Sequence, residues 1–223
     1  MAKNYDDPCG IARALSLVGE RWSLMVIREL TFGPRRFSDL ARGLPTTSQN
    51  VLSQRLRDLQ QEHVLRQRTL GPPTSARVYE LTERGRALKP VLEALGRWGS
   101  RLPLDPDGSA ELSIDALALA LVTMFDPQLA GELSVRVQLV LDDDRFDAEV
   151  TGGEFDVHRG ECDNPDVTVT TDAAGLRSLV FAGRRLSAAV QSGEVQVVGR
   201  RALVERFLRC FPRPAPFDPQ CPS

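Results

Sequence analysis

The chain has 223 residues, enough for two domains of ordinary size, and its apolar content of 42% indicates folded cores rather than disorder. The net charge is only −2, but residues 1–101 carry 17 Lys and Arg against 10 Asp and Glu (+7), whereas the remainder carries 11 against 20 (−9). This asymmetry predicts that nucleic acid binds to the first half.

The chain starts with MAKNYDDPCG, which lacks the apolar core of a secretory signal. Its longest apolar run, Ile114 to Phe125, is shorter than the roughly 20 residues that a bilayer requires. The cysteines have neither metal-type spacing nor a dense disulfide pattern: Cys9, Cys162, Cys210 and Cys221. We expect a cytoplasmic protein with reduced thiols, no membrane span, no metal and no cofactor.

Two helices are predicted first, over Cys9–Val18 and Arg21–Leu30. The core of the second helix is predicted to comprise Trp22, Leu24, Met25, Ile27 and Leu30. From Arg35 to Thr82 the chain shows two helical patterns and then two strand-like runs, which is the order of a winged helix-turn-helix.

Within the winged helix-turn-helix segment, the second helix is predicted over Ser48–Glu62, with Thr47 or Ser48 as its N-cap. Its apolar stripe consists of Val51, Leu52, Leu56 and Leu59. Asn and Gln can pair with adenine, and Arg with guanine, so the opposite face is suited to reading base edges. The predicted base-reading residues are Ser48, Gln49, Asn50, Ser53, Gln54 and Arg57. The alternative is an ordinary solvated polar face.

The wing strands are predicted at Val64–Leu70 and Val78–Leu81, joined by a loop that contains two prolines. Positively charged side chains at the start of the first helix, on the second helix and at the base of the wing are predicted to contact phosphates: Arg35, Arg36, Arg55 and Arg77. Solvent exposure without DNA contact is the alternative for each.

A further helix opens behind Thr82, its predicted N-cap, and carries a broad apolar stripe. The stripe consists of Leu88, Val91, Leu92, Leu95 and Trp98. We predict that it forms a homodimer seam, which would place two recognition helices about one DNA turn apart on a palindromic operator. The alternative is packing against its own domain or the second one.

The first hundred residues resemble the HxlR family of winged-helix regulators. The resemblance rests on LVGERWSL (17–24), GPRRFSDL (33–40), LSQRL (52–56) and YELT (79–82). It implies a dimeric DNA-binding regulator, a repressor more often than an activator. It also places Cys9 where several members sense electrophiles or oxidants through a thiol. The alternative for Cys9 is a structural role, because negative charge at Asp6 and Asp7 disfavours a thiolate.

The second half is predicted to be α+β, with a helix over Ser113–Phe125, an antiparallel sheet and further helices. Residues 164–172 (NPDVTVTTD) and the strand QVVG (196–199) resemble sterol-carrier-protein domains. That resemblance implies a five-stranded sheet covered by helices around an apolar tunnel for hydrophobic ligands. The predicted pocket residues are Leu117, Leu121, Phe125, Leu176, Leu179, Val180, Phe181, Leu186 and Val190. Each of them is equally suited to an ordinary core.

The predicted organisation is a DNA-binding domain (1–102), a linker (103–112), a sterol-carrier-like domain (113–211) and a Pro-rich tail (212–223). The predicted function is a homodimeric transcriptional regulator that binds double-stranded DNA and a small hydrophobic effector. The alternative is a lipid-binding carrier or scaffold whose winged helix contacts proteins. No acid–base or nucleophile arrangement is evident in the sequence, so an enzyme is not predicted.

Overall fold

The computed structural model describes residues 5–71, 75–103 and 111–217, and the chain forms two compact units, Met1–Leu92 and Glu93–Ser223. The division falls ten residues before the predicted linker. Most of that linker (104–110), the tip of the predicted wing (72–74) and the tail beyond Phe217 lie outside the described residues.

The first unit opens with four helices, α1 (Gly10–Val18), α2 (Ser23–Glu29), α3 (Phe37–Gly43) and α4 (Gln49–Gln61). Helix α2 starts later than predicted because Trp22 has a φ of 80°, which lies outside the helical region. The core takes Val26, Ile27 and Leu30 from this segment. Met25, which was predicted to be in the core, is exposed, so that prediction was wrong.

The wing consists of β1 (Leu65–Thr69) and β2 (Arg77–Leu81), paired antiparallel with Thr69 opposite Arg77. Arg35 adds a bridge that the sequence pattern did not reveal. Its backbone N–H donates to the Tyr79 carbonyl at 2.9 Å and its carbonyl accepts from the Tyr79 N–H at 2.8 Å. The backbone that leads into α3 is thereby fastened to the wing.

The single helix predicted after the wing is two helices, α5 (Glu83–Arg86) and α6 (Lys89–Gly99). Proline lacks an N–H and its ring crowds the preceding turn, so Pro90 is accepted at the start of α6 and not within a longer helix. Thr82 caps α5 as predicted, its hydroxyl accepting from the Gly85 N–H at 3.2 Å. A Cβ at Gly85 would lie 2.1 Å from the Val64 carbonyl oxygen, so only glycine fits there.

The second unit combines five strands and further helices. Its helices after α6 are α7 (Ile114–Met124), α8 (Pro127–Ala130), α9 (Ala173–Phe181), α10 (Leu186–Gln191) and α11 (Arg201–Arg209). Its strands are β3 (Val135–Leu141), β4 (Asp144–Thr151), β5 (Glu154–Arg159), β6 (Val167–Thr171) and β7 (Gln196–Gly199). The short α8 was not predicted. Asp126 caps it, with its carboxylate accepting from the Gln128 N–H at 2.8 Å.

The strand order is β5-β4-β3-β6-β7, and β3 pairs parallel with β6 while the other neighbours are antiparallel. The predicted five strands are therefore confirmed, but the prediction of a wholly antiparallel sheet was wrong. Gly152 and Gly153 form the two-residue hairpin turn between β4 and β5. Both glycines have positive φ, 58° and 78°, which two-residue hairpin turns of this kind require.

One face of the five-stranded sheet is buried, and four phenylalanine rings fill part of the core of this unit. Phe155 from β5 lies 5.5 Å from Phe125 and 5.0 Å from Phe211, measured between ring centroids, and Phe207 lies 5.0 Å from Phe211. A buried ion-pair cluster lies at another point, where the Arg159 guanidinium contacts the carboxylates of Asp115 and Asp144. The guanidinium also lies 4.4 Å above the Phe146 ring.

On the other face, the buried amide of Gln138 fastens the segment after β5 to the centre of the sheet. Its Nε2 donates to the Phe146 carbonyl at 2.9 Å and to the Gly160 carbonyl at 3.3 Å, while its Oε1 accepts from the Cys162 N–H at 2.6 Å. A polar side chain that is 4% exposed is tolerated here because its donors and acceptor are paired.

We predict that Gln138→Leu lowers the free energy of unfolding by about 1–3 kcal/mol, since it removes the hydrogen bonds that the buried amide makes with the Gly160 carbonyl and the Cys162 N–H. Urea unfolding measures this change. The matched control is Gln196→Leu, because Gln196 is exposed on β7. Equal effects of the two substitutions would contradict a structural role for the Gln138 amide.

Candidate nucleic-acid interface

Helix α4 is positioned by its apolar stripe. Leu52, Leu56 and Leu59 are essentially fully buried, and the helix packs against α2 and β1. Ser48 is the N-cap, with its hydroxyl accepting from the Val51 N–H at 3.3 Å. Val51 is 40% exposed, so its predicted place in the stripe was wrong. The burial of these three leucines turns the opposite side of α4 outward.

The opposite face of α4 carries the predicted base-reading side chains. Gln49, Asn50, Gln54 and Arg57 are exposed, and Ser53 is half-buried. Two hydrogen bonds order this face: Arg57 donates to Gln54 Oε1 at 2.7 Å, and Gln54 Nε2 donates to Asp58 at 2.7 Å. Each amide group of Gln54 retains a further hydrogen-bonding position, because an amide oxygen has two lone pairs and an NH₂ group has two protons.

Arg55, another predicted DNA contact, is held by two carboxylates. Its guanidinium lies 3.0 Å from the Asp58 carboxylate and 3.7 Å from the Glu20 carboxylate, with only 19% of the side chain exposed. Sequence spacing could have suggested the Asp58 pair, which is three residues away on one helix. The Glu20 partner depends on how the helices pack and carries no local signal. Arg55 therefore connects α4 to the segment before α2.

Three other predicted phosphate contacts lie around α4 and the wing. Arg36 is exposed at the N-cap of α3, where its N–H donates to the Asp39 carboxylate at 3.2 Å. Arg35 is half-buried beside the wing through its bridge with Tyr79. Arg77 is exposed at the start of β2. Both Arg36 and Arg77 have side chains that solvent can reach.

The wing contains an ion-pair cluster that the sequence analysis did not identify. Arg66 and Arg68 each place Nε 2.7 Å from a different oxygen of Glu80, on the neighbouring strand. Burial alone raises the pKa of the Glu80 carboxyl, but the hydrogen bonds from Arg68 and Arg66 outweigh it and hold that pKa below its ordinary value. The charges of these two arginines are thus partly neutralised within the sheet.

The residues of the predicted dimer seam differ in exposure. Val91 and Leu95 are 53% and 48% exposed, and Leu88 is half-buried. Trp98 is exposed too, although its ring lies 6.2 Å from that of Phe217. Leu92 is 6% exposed and packs within the chain, and the seam itself stays a prediction. Cys9, the predicted thiol sensor, is exposed at the N-cap of α1.

Most of the predicted pocket residues lie in the interior of the second unit. Four of them are nearly inaccessible or wholly so, namely Leu117, Leu121, Leu176 and Leu186, and Leu179 is also buried. Val180, Phe181 and Val190 are half-buried. A surface pocket of about 270 Å³ is present in this unit, and of the nine predicted residues only Phe125 lines it.

Two family models match the chain. Residues 17–104 match HxlR-like helix-turn-helix, and residues 103–217 match alkyl sulfatase C-terminal. The chain is 37% identical over 88 residues to the HTH-type transcriptional regulator YodB of Bacillus subtilis, a match that covers 40% of this chain and 79% of that protein. The chain belongs to the HxlR-like helix-turn-helix family in its first half and to the alkyl sulfatase C-terminal family in its second.

Two further proteins are similar to parts of this chain. The regulator YvaP of Bacillus subtilis is 36% identical over 95 residues, covering 42% of this chain and 86% of that protein. A solved structure of a double mutant of the sec-alkyl sulfatase PisA1 is 20% identical with a TM-score of 0.43, covering 61% of this chain and 22% of that one. As a member of the HxlR-like helix-turn-helix family, this chain is a DNA-binding regulator of transcription, as predicted. The sterol-carrier resemblance of the second half stays a prediction.

Within the described residues, no helix is long and apolar enough to cross a bilayer. In the same part of the chain, no group of three or more His, Cys, Asp or Glu side chains could hold a metal ion.

The Glu80 cluster yields a pH-dependent prediction. Because the folded-state pKa of Glu80 lies below its unfolded value, its stabilisation is complete above the unfolded pKa and is lost as the pH falls through the folded pKa. Glu80→Gln should lower the free energy of unfolding at pH 7 by about 1–3 kcal/mol. Urea unfolding at pH 7 and pH 3 should show the difference from wild type shrinking at the lower pH. Glu62→Gln, at an exposed position, is the control, and a difference that is the same at both pH values would contradict the assignment.

Proposed function

We propose that the chain is a homodimeric repressor that reads a palindromic operator through α4 and responds to a small effector bound by its second unit. The observation that carries the DNA-reading part is the division of α4 into two faces, with three leucines buried and the polar side chains of Gln49, Asn50, Gln54 and Arg57 exposed. This is the arrangement that a recognition helix needs in a major groove.

The side chains have distinct roles in this proposal. Asn50 and Gln54 read adenine edges, Arg57 reads guanine, and Gln49, Ser48 and Ser53 complete the contacts of the first two turns. Arg36 and Arg77 bind phosphates on either side of the helix, with Arg35 placed beside them by its bridge to the wing. Arg55 serves as a positioning residue, because its pairs with Asp58 and Glu20 hold α4 in place.

The homodimer is supported by apolar surface. Val91 and Leu95 lie four residues apart on α6 and therefore share one face of that helix. Ile11 on α1 is 71% exposed. Exposed apolar side chains grouped on helices favour association, because burying them removes apolar surface from water. Palindromic operators follow from a two-fold dimer that carries two recognition helices.

For the second unit we propose a non-catalytic, sterol-carrier-like role in binding a hydrophobic effector. The support is a five-stranded sheet that packs against α7 and α11 and an interior rich in leucine, valine and phenylalanine. Oxidant sensing by Cys9 is a second regulatory proposal. It is supported by the exposure of the thiol at the N-cap of α1.

The operator proposal predicts that the protein binds its own upstream promoter fragment selectively, with an affinity that falls steeply as salt rises. Gln54→Ala and Arg57→Ala should each cost about 1–3 kcal/mol of discrimination and relax the preference at one base position. Fluorescence anisotropy on matched and random fragments across a salt series measures both effects. Gln61→Ala, at the far end of the same helix, is the control. Equal binding to both fragments at every salt concentration would favour the carrier or scaffold function instead.

The dimer proposal predicts that Leu95→Glu converts the protein to a monomer and weakens operator binding, because a charge cannot be buried in an apolar interface without a partner. Sedimentation velocity of the full chain measures its mass. Leu129→Glu is the matched control, since Leu129 is 55% exposed on α8, a different helix. A dimer that survives Leu95→Glu would rule out this seam.

A further inference from the structure

The pocket of about 270 Å³ lies wholly within the second unit. It is formed where the C-terminal ends of α6 and α7 meet the proline-containing segment after α11. We call it the Arg97 pocket, after the residue of α6 that lines it. Its volume lies just below the range of roughly 300–1,000 Å³ that is typical of ligand sites, which limits its occupant to a small molecule.

One wall of the Arg97 pocket is a strap of chain, Pro212 to Phe217, that is held in place by Arg101. The Arg101 Nε donates to the Ala215 carbonyl at 3.1 Å, and the Phe217 N–H donates to the Arg101 carbonyl at 3.0 Å. The guanidinium of Arg101 also lies 4.1 Å above the Phe217 ring. Pro212 and Pro214 of this strap line the pocket and make this wall apolar.

The facing wall combines apolar and polar groups at the end of α7. Met124 and Phe125 contribute apolar surface and Thr123 contributes a polar residue, while Ser100 lines the pocket from just after α6. The Phe125 ring belongs to the four-ring cluster, at 5.9 Å from Phe211, so this surface is supported from behind. The Asp126 N–H donates to the Cys210 carbonyl at 2.8 Å and joins this wall to the end of α11.

Two opposite charges line the same pocket. The Arg97 Nε donates to the Thr123 carbonyl at 3.3 Å, which orients the guanidinium and leaves its two terminal nitrogens for other acceptors. One oxygen of Asp126 accepts from the Gln128 N–H at 2.8 Å, which leaves the second oxygen for another donor. The formal charge of the pocket is therefore zero, but it offers both a cation and an anion.

We propose that the Arg97 pocket binds a small zwitterion with an apolar side chain, of the chemical class of the apolar α-amino acids. The ligand carboxylate pairs with Arg97, its ammonium group pairs with Asp126, and its side chain lies on Phe125 and the strap prolines. A ligand with a single charge would pair with only one of the two protein charges and would therefore bind more weakly than the zwitterion. An uncharged apolar ligand would pair with neither protein charge.

The position of the pocket gives this ligand a place in regulation, a role that rests on the proposed function. Arg97 lies on α6, and this helix begins at Lys89, next to the wing and α5 in the chain. An effector acts only through a difference in its affinity for two states. Contacts to Arg97 and Ser100 would change with any displacement of the end of α6.

The test is isothermal titration calorimetry of the full chain with L-phenylalanine and L-leucine. We expect one binding site per chain. N-acetyl-L-phenylalanine lacks the ammonium group and L-phenylalanine methyl ester lacks the carboxylate, so both should bind about tenfold or more weakly. No binding of either amino acid at millimolar concentrations would overturn the proposal. Equal affinity for the zwitterion and both derivatives would overturn it too.

Substitutions locate the site. Arg97→Gln and Asp126→Asn should each weaken binding of L-phenylalanine about tenfold or more. Asparagine caps a helix as well as aspartate does, so Asp126→Asn removes the charge and keeps the cap of α8. The controls are Arg209→Gln, at an exposed position of α11, and Asp172→Asn, which caps α9 elsewhere in the same unit. Binding that is unchanged in the first pair would place the ligand at another site and overturn the proposal.

Anisotropy on operator DNA, with and without L-phenylalanine, separates the two proposals. Ligand binding together with selective DNA binding that the ligand shifts supports the pocket and its role as an effector site. Ligand binding without an effect on DNA affinity overturns the effector role and supports the pocket alone. If calorimetry shows that L-phenylalanine binds but the protein does not bind operator DNA selectively, the proposed function is overturned and the pocket assignment is supported.

Discussion

The DNA-binding unit depends on the burial of three leucines on α4. Leu52, Leu56 and Leu59 are spaced so that they form one stripe, and burying that stripe against α2 and β1 fixes the rotation of the helix about its axis. Once the rotation is fixed, Gln49, Asn50, Gln54 and Arg57 have no place except the outer face. The Ser48 cap sets the start of the helix, and so which residues occupy its first turn. The reading surface follows from the packing of the opposite side.

The charge available to a phosphate backbone is smaller than the arginine count suggests. Arg55 is neutralised by Asp58 and Glu20, and Arg66 and Arg68 share the carboxylate of Glu80. These pairs support structure: the first holds α4, and the second joins the two strands of the wing. Arg36, Arg57 and Arg77 keep exposed side chains. Since counterion release scales with the phosphates actually neutralised, the salt dependence of DNA binding should report this smaller set and not the +7 of residues 1–101.

Much of this arrangement could be predicted from local pattern. The period of the leucines and the Ser48 cap placed α4 to within one residue at each end, and alternation with turn residues placed the wing and the five strands of the second unit. The features that could not be predicted are contacts between residues that are far apart in the sequence. The parallel pairing of β3 with β6, the bridge from Arg35 to Tyr79 and the Glu20–Arg55 pair join residues distant in sequence, and no spacing rule encodes them. Pro90 was a local signal for the break before α6. The apolar stripe continues across that break and led to the prediction of a single helix.

The second unit shows why a ligand site is harder to predict than a core. Leucines at helical spacing read equally as tunnel lining or as packing, and Leu117, Leu121 and Leu176 are packed with almost no accessible surface. The Arg97 pocket is instead formed at the ends of helices. The last turn of α6, the last turn of α7 and the strap after α11 line it, and these segments are far apart in the chain. Helix ends expose polar backbone and admit charged side chains, so a pocket there can offer paired charges that a tunnel through the core would exclude. A regulator that gains an effector site at the end of a helix keeps its core intact, and the ligand then acts on the position of α6, not on the packing of the sheet.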